Sequence, residues 1–206
     1  MFSFGKKKQT LENSNKWIFG TMLVFGLVGL AASFVLAVEE FHLLKNPNAI
    51  LSCSINTVLN CSTVMETWQA SVFGFPNMFI GLMGYPIVVT VAIVALTKAK
   101  LPRWFWIVAN VCYLLAALFA YWLFFNSVYV IEVLCPWCLI VTFVTTIILA
   151  TLTHYNLREN AFKLSKHVNN TVQEMLKKDI GKLLTATWIV LLIALVFVKF
   201  GESLFA

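Results

Sequence analysis

Charge is what this chain has least of. Asp, Glu, Lys and Arg make up only 12% of its 206 residues, against 60% hydrophobic ones, and the mean hydropathy is +0.85. A soluble domain of this size needs more polar surface than that, so an ordinary globular protein is excluded and a membrane class remains. The deficit is concentrated in five apolar stretches, residues 17–38, 75–97, 104–126, 134–153 and 183–200. Each is about as long as the ~20 residues a spanning helix needs at 1.5 Å rise per residue. Within all five, the only Asp, Glu, Lys, Arg or His is Lys199, close enough to one end to snorkel out of the apolar layer. Also missing are internal repeats, low-complexity tracts and a second, soluble domain.

The net charge of +6 and a pI near 9.1 suggest nucleic acid at first sight. The basic residues sit between apolar stretches, however, which is how membrane proteins fix their orientation. With the N-terminus in the cytoplasm, thirteen fall inside: Lys6, Lys7, Lys8, Lys16, Lys98, Lys100, Arg103, Arg158, Lys163, Lys166, Lys177, Lys178 and Lys182. Only Lys45 and Lys199 fall outside. The first apolar run is too long for a signal-peptide core, and Val38-Glu39-Glu40 is a poor cleavage site, so it reads as a retained helix. Pro76 suits a helix start, and Pro86 implies a kink in the second span.

Between the fourth and fifth spans, 154–182 is a polar connection. Leu164, Val168, Val172 and Leu176 recur there at four-residue spacing, flanked by lysines. Two readings stand side by side: an amphipathic helix on the membrane surface, or a solvated linker of modest helicity.

Chemistry enters with the cysteines. The charge count puts Cys53, Cys61, Cys135 and Cys138 on the outer, oxidising side, and the thirteen-to-two ratio is what carries that placement. Cys112 lies in the middle of the third span and reads as a small buried packing residue without a role. Cys135-Pro136-Trp137-Cys138 opens the fourth span. Cysteines at i and i+3 share a helix face and can close a small disulfide; the helix N-terminus favours a thiolate at Cys135, and Pro136 fits a first turn that needs no N–H. Cys53 and Cys61 are separated by seven loop residues, and Thr63 and Glu66 have capping-box spacing, so a short helix is expected beside Cys61. Two disulfide-capable pairs on one membrane face make a relay: a mobile pair open to a large protein, and a second anchored at the membrane edge.

Other classes fit less well. A structural zinc site wants tighter knuckles than the Cys53–Cys61 spacing, and His42, His154 and His167 do not complete one. Two purely structural disulfides remain a non-enzymatic alternative. A transporter or channel normally carries ionisable groups inside its spans; here their absence suits a neutral, apolar ligand such as a quinone.

The order of the motifs is specific. A loop cysteine pair is followed by Thr67-Trp68-Gln69, then Phe73-Gly74-Phe75-Pro76-Asn77, then CxxC on the fourth span. This resembles the vitamin K epoxide reductase family, in particular its bacterial homologues, over about residues 17–153. The DsbB type of quinone-linked oxidase places its CxxC in the first outer loop and fits poorly. The resemblance implies an all-α integral membrane fold: a four-helix transmembrane bundle around a quinone site, a fifth transmembrane helix, and a short half-helix in the first outer loop. It divides the chain into a cytoplasmic tail (1–16), the redox core (17–153), a cytoplasmic connection (154–182) and a fifth helix with a short outer tail (183–206).

The resemblance also implies the roles. Cys138 stands next to a membrane quinone, menaquinone or ubiquinone, and Cys135 is its partner that exchanges with the loop. Cys61 carries electrons from the loop, and Cys53 meets a thioredoxin-fold (DsbA-like) protein. Thr67 matches the half-helix position that closes the quinone pocket, and Asn77 a residue that hydrogen-bonds a quinone carbonyl; its other reading is a plain helix cap. The expected activity is reoxidation of that protein in a bacterial cytoplasmic membrane, in support of disulfide formation. Two departures are visible. Thr142 stands where animal members carry a Tyr, which puts reduction of vitamin K epoxide in doubt. No thioredoxin-like domain follows the fifth helix before Ala206, so the partner is expected to be a separate protein.

Overall fold

Every apolar stretch becomes a helix, because a chain without water around it can satisfy its backbone polar groups only within itself. The computed structural model describes the backbone of residues 2–46 and 50–204, and side chains from 14 onward up to residue 201 within that range. The side chains of the basic cluster Lys6, Lys7 and Lys8 lie outside the described ones. The helices are α1 (Phe2–Lys45), α2 (Cys61–Met65), α3 (Met78–Leu96), α4 (Arg103–Asn126), α5 (Pro136–Arg158), α6 (Lys166–Lys177) and α7 (Ile180–Leu204). A 3-10 turn spans Trp68–Ser71, and a wider helical turn, Ser127–Ile131, prolongs α4. Among the described residues five spans are long and apolar enough to cross a membrane: Ser14–Lys45, Met78–Leu96, Arg103–Ile131, Pro136–Arg158 and Ile180–Gly201. The backbone set apart as a tail, 2–16, is helical and continuous with α1.

Helix α5 is the hub. It packs on α1, α4 and α7, while α3 lies along α1 and makes little direct contact with α4. Small residues permit the close α1–α3 approach, as at other membrane helix interfaces. A side chain on Gly29 would run into the Tyr85 ring, and one on Gly81 into Ser33. Polar groups inside are satisfied across helices: the Tyr85 hydroxyl meets Thr145 Oγ1 at 3.0 Å, and Asn110 Nδ2 donates to Thr153 Oγ1 at 2.9 Å. The gap between α3 and α4 leaves an internal cavity, bounded on the far side by α1 and α5.

Two local signals work differently from the sequence reading. The short helix does begin at Cys61, but its cap is Asn60, whose side chain accepts from the Thr63 N–H; Glu66 sits at the C-terminal cap. Asn is as good a cap as Thr, and its carbonyl oxygen is better placed one residue before the helix. In the 154–182 connection a helix forms, α6, whose Gln173 Nε2 reaches the Leu157 and Arg158 carbonyls at 3.2 Å.

Candidate functional site: a sulfur cluster beside an apolar cavity

The chain turns from α4 into α5 at Glu132, whose left-handed φ of 57° stops the helical turn. Two residues later the backbone is extended and pairs with the distant loop. Leu59 and Leu134 form a parallel bridge, with Asn60 N–H donating to the Leu134 carbonyl at 3.0 Å and Leu134 N–H to the Val58 carbonyl at 2.7 Å. That bridge fixes the register of the two cysteine segments. Counting one or two residues onward from it brings Cys61 and Cys135 face to face.

The loop side is tightly held. Cys53 and Cys61 are disulfide-bonded, with Cα atoms 5.6 Å apart. The Asn56 side chain accepts from Val58 and Leu59 N–H at 3.0 and 2.7 Å, Ser54 Oγ donates to Asn60 Oδ1 at 2.8 Å, and Ser52 bonds Glu39 at the end of α1. Cys53 is only 4% exposed, packed with Leu36 and Leu51. A flexible, exposed Cys53 was expected; these bonds and the inward-turned Leu51 bury it instead. Cys61 and Cys135 are 0% and 2% exposed, and their Sγ atoms lie 3.4 Å apart.

Cys135 is the N-cap of α5, just ahead of the span, and Pro136 takes the first helical position as its missing N–H allows. The Cys135 sulfur accepts the Cys138 N–H at 3.4 Å. Its thiol is held below the ordinary range first by the Cys138 thiol and then by the Cys138 and Trp137 N–H groups, against the opposing effect of burial. The helix-terminus effect expected from the motif is the lesser part of this, supplied by the two N–H groups. Cys138, three residues on, is free and exposed, and it lines the cavity.

That cavity holds about 540 Å³ and runs between α1, α3, α4 and α5, a size suited to a small organic ligand. Its wall is mainly aliphatic and aromatic, with a few polar groups, among them Thr67, Gln69 and Asn77. Thr67 Oγ1 donates to the Val64 carbonyl at 2.7 Å, so its proton is committed and its oxygen can only accept further. Asn77 does not cap α3 with its side chain. Its Nδ2 donates instead to the Gln69 carbonyl at 2.7 Å, and its Oδ1 is buried without a partner. A buried orphan acceptor costs about 1–3 kcal/mol unless something donates to it, so a donor that reached this atom would be stabilised there. Cys112 also corrects the sequence reading: it is exposed rather than buried, and it lines the same cavity, because α4 turns that face toward the gap. Thr142 is buried, its hydroxyl donating to the Cys138 carbonyl at 2.9 Å.

Parts of this arrangement carry no sequence signal. The Leu59–Leu134 bridge is invisible in sequence, being two ordinary leucines. Gln69 belongs to the Thr67-Trp68-Gln69 motif, but that motif does not give its burial on the cavity wall.

The family model for the vitamin K epoxide reductase family matches residues 21–153. The chain belongs to that family. Comparison with curated proteins and with solved structures gives no match. Membership makes the protein a multi-pass membrane oxidoreductase of disulfide chemistry, in a family whose members generally use quinones. The matched span holds all four clustered sulfurs and the cavity helices; α6 and α7 lie beyond it.

Proposed function

We propose that the protein reoxidises a separate thioredoxin-fold (DsbA-like) protein and delivers the electrons to a membrane quinone, in support of disulfide formation outside a bacterial cytoplasm. The observation that carries this reading is the position of Cys135. Its sulfur lies 3.4 Å from Cys61 on one side, while its helical partner Cys138 opens onto the cavity on the other. Two structural disulfides would have no need of such a junction.

Each exchange then conserves bonds. A partner thiolate attacks Cys53, breaking Cys53–Cys61 and freeing the Cys61 thiolate; the partner's second thiol resolves the mixed disulfide and leaves oxidised. Cys61 attacks Cys135 in an oxidised Cys135–Cys138 pair, and Cys138 departs as thiolate. Cys53 then closes on Cys61, releasing Cys135. The low-lying thiol of Cys135 makes it a good leaving group at that step. Loss of two electrons and two protons restores Cys135–Cys138, and a quinone in the cavity supplies the two-electron acceptor. The residues present fit such a ligand. Asn77 keeps one N–H for a carbonyl oxygen and an unpartnered Oδ1 for a hydroxyl, so it can serve the oxidised and reduced forms alike. With Thr142 committed to the Cys138 carbonyl, nothing here argues for epoxide reduction.

Dithiol-driven quinone reduction by the purified protein tests the reading. Wild type is expected to turn over and Cys138→Ser to fall to the uncatalysed rate; equal rates would end the proposal, and no activity in wild type would favour structural disulfides. The thirteen-to-two charge count supports the orientation with the cysteine cluster outside. A cysteine placed at Ile50 should therefore react with an impermeant maleimide in intact cells, and one at Lys100 only after permeabilisation; the reverse pattern would overturn it.

A further inference from the structure

Helix α7 lies outside the family match, yet its end converges on the junction between the two cysteine pairs. Leu192, Val196 and Phe200 pack into one buried cluster with Val58 and Leu134, the residues whose backbone atoms form the register-setting bridge. Lys199 Nζ sits 2.7 Å from Glu132 Oε1, on the left-handed residue that turns the chain toward Cys135. A second attachment lies lower down. Trp188 Nε1 donates to the Tyr121 hydroxyl at 3.0 Å, which meets Thr146 Oγ1 at 2.7 Å; Thr146 bonds the Thr142 carbonyl, and Thr142 the Cys138 carbonyl. So α7 shares a buried cluster with residues of both strands of the bridge, pairs with the turn before Cys135 and joins the hydrogen-bonded column beneath Cys138.

We infer that α7 is a positioning element for electron transfer between the two pairs: Lys199, Val196 and Phe200 hold Glu132, Val58 and Leu134 so that Cys61 and Cys135 stay in exchange range. The inference rests on the relay reading above. None of these side chains touches the sulfurs, so they act through the bridge and the turn. The Lys199–Glu132 pair is partly exposed, the two side chains being 38% and 61% accessible, and such pairs contribute little alone. Its part is to fix the turn, while the buried seam supplies the adhesion.

The test uses the full chain with Cys53→Ser and Cys138→Ser, which leaves Cys61 and Cys135 as the only clustered thiols. The rate at which the oxidant diamide joins them is read by non-reducing peptide mapping. Lys199→Met or Glu132→Gln should slow joining roughly 2- to 5-fold, as expected for a partly exposed ion pair, and the exchanged pair Glu132→Lys with Lys199→Glu should restore it. Val196→Ala, which trims the seam without touching a charge, should slow it at least as much. Dithiothreitol-driven quinone reduction, measured in the same α7 variants with all cysteines native, should stay at the parental level, since a small dithiol reduces Cys135–Cys138 without using the junction. Parental joining rates in the single variants and in Val196→Ala would overturn the inference, as would equal loss of joining and of dithiothreitol-driven activity. The relay reading fails separately, by absence of quinone reduction in the protein with native α7.

Discussion

The two cysteine pairs are built on opposite principles. Cys53 lies in a loop and Cys61 opens the single-turn helix α2, the pair being held by side-chain bonds from Asn56, Ser54 and Ser52 and buried with Leu36 and Leu51. Cys135 and Cys138 stand at the start of a spanning helix and both line the cavity, while Cys135 also meets the loop sulfur of Cys61. Helical rigidity suits the pair that must keep a fixed distance to an apolar acceptor. A loop suits the pair that must meet a protein, and its burial protects the disulfide until side-chain bonds are displaced. Precision on one side and releasable closure on the other are what a relay between a protein and a membrane ligand requires.

If the pairs are really in series, the largest effect comes from cutting between them. Cys61→Ser should bring quinone reduction driven by a protein dithiol down to background, while dithiothreitol, small enough to enter at the exposed Cys138, should still support it. Steady-state rates with the two reductants check this; equal loss with both would mean the pairs are not separate stations. A smaller effect is expected on the cavity side. Asn77→Leu removes the orphan acceptor and the donor to the Gln69 carbonyl, and should raise the quinone KM about 10-fold, the equivalent of one lost hydrogen bond at ~1.4 kcal/mol. Joining of Cys61 to Cys135 should be unchanged in that variant. Slower joining would show that the cavity and the junction are one unit.

Much of this was legible in the residues. Scarcity of charge gave the spans, since twenty apolar residues leave a helix as the only way to satisfy the backbone. The CxxC, with Pro136 inside it, gave the start of α5 and the N-cap role of Cys135, because both follow from helix geometry. What escaped reading depends on contacts between distant segments. Cys53 was expected to be exposed because loops usually are, whereas Leu51 and the Glu39–Ser52 contact turn this one inward. Cys112 was expected to be buried because it is mid-span, but only the gap between α3 and α4 decides which way that face looks. The bridge between Leu59 and Leu134 has no signature at all. Lys199 was read as snorkelling, and its pairing with Glu132 needs the turn at residue 132 to be known first.

The central claim is that electrons cross from one pair to the other at a single junction, Cys61 to Cys135. In the protein carrying Cys53→Ser and Cys138→Ser, no resolving thiol remains on either side of it. Mild oxidation followed by non-reducing peptide mapping should then find Cys61 joined to Cys135 in nearly every molecule, with Cys112 left reduced. Recovery of Cys61 unpaired, or of Cys135 joined to Cys112, would contradict the account.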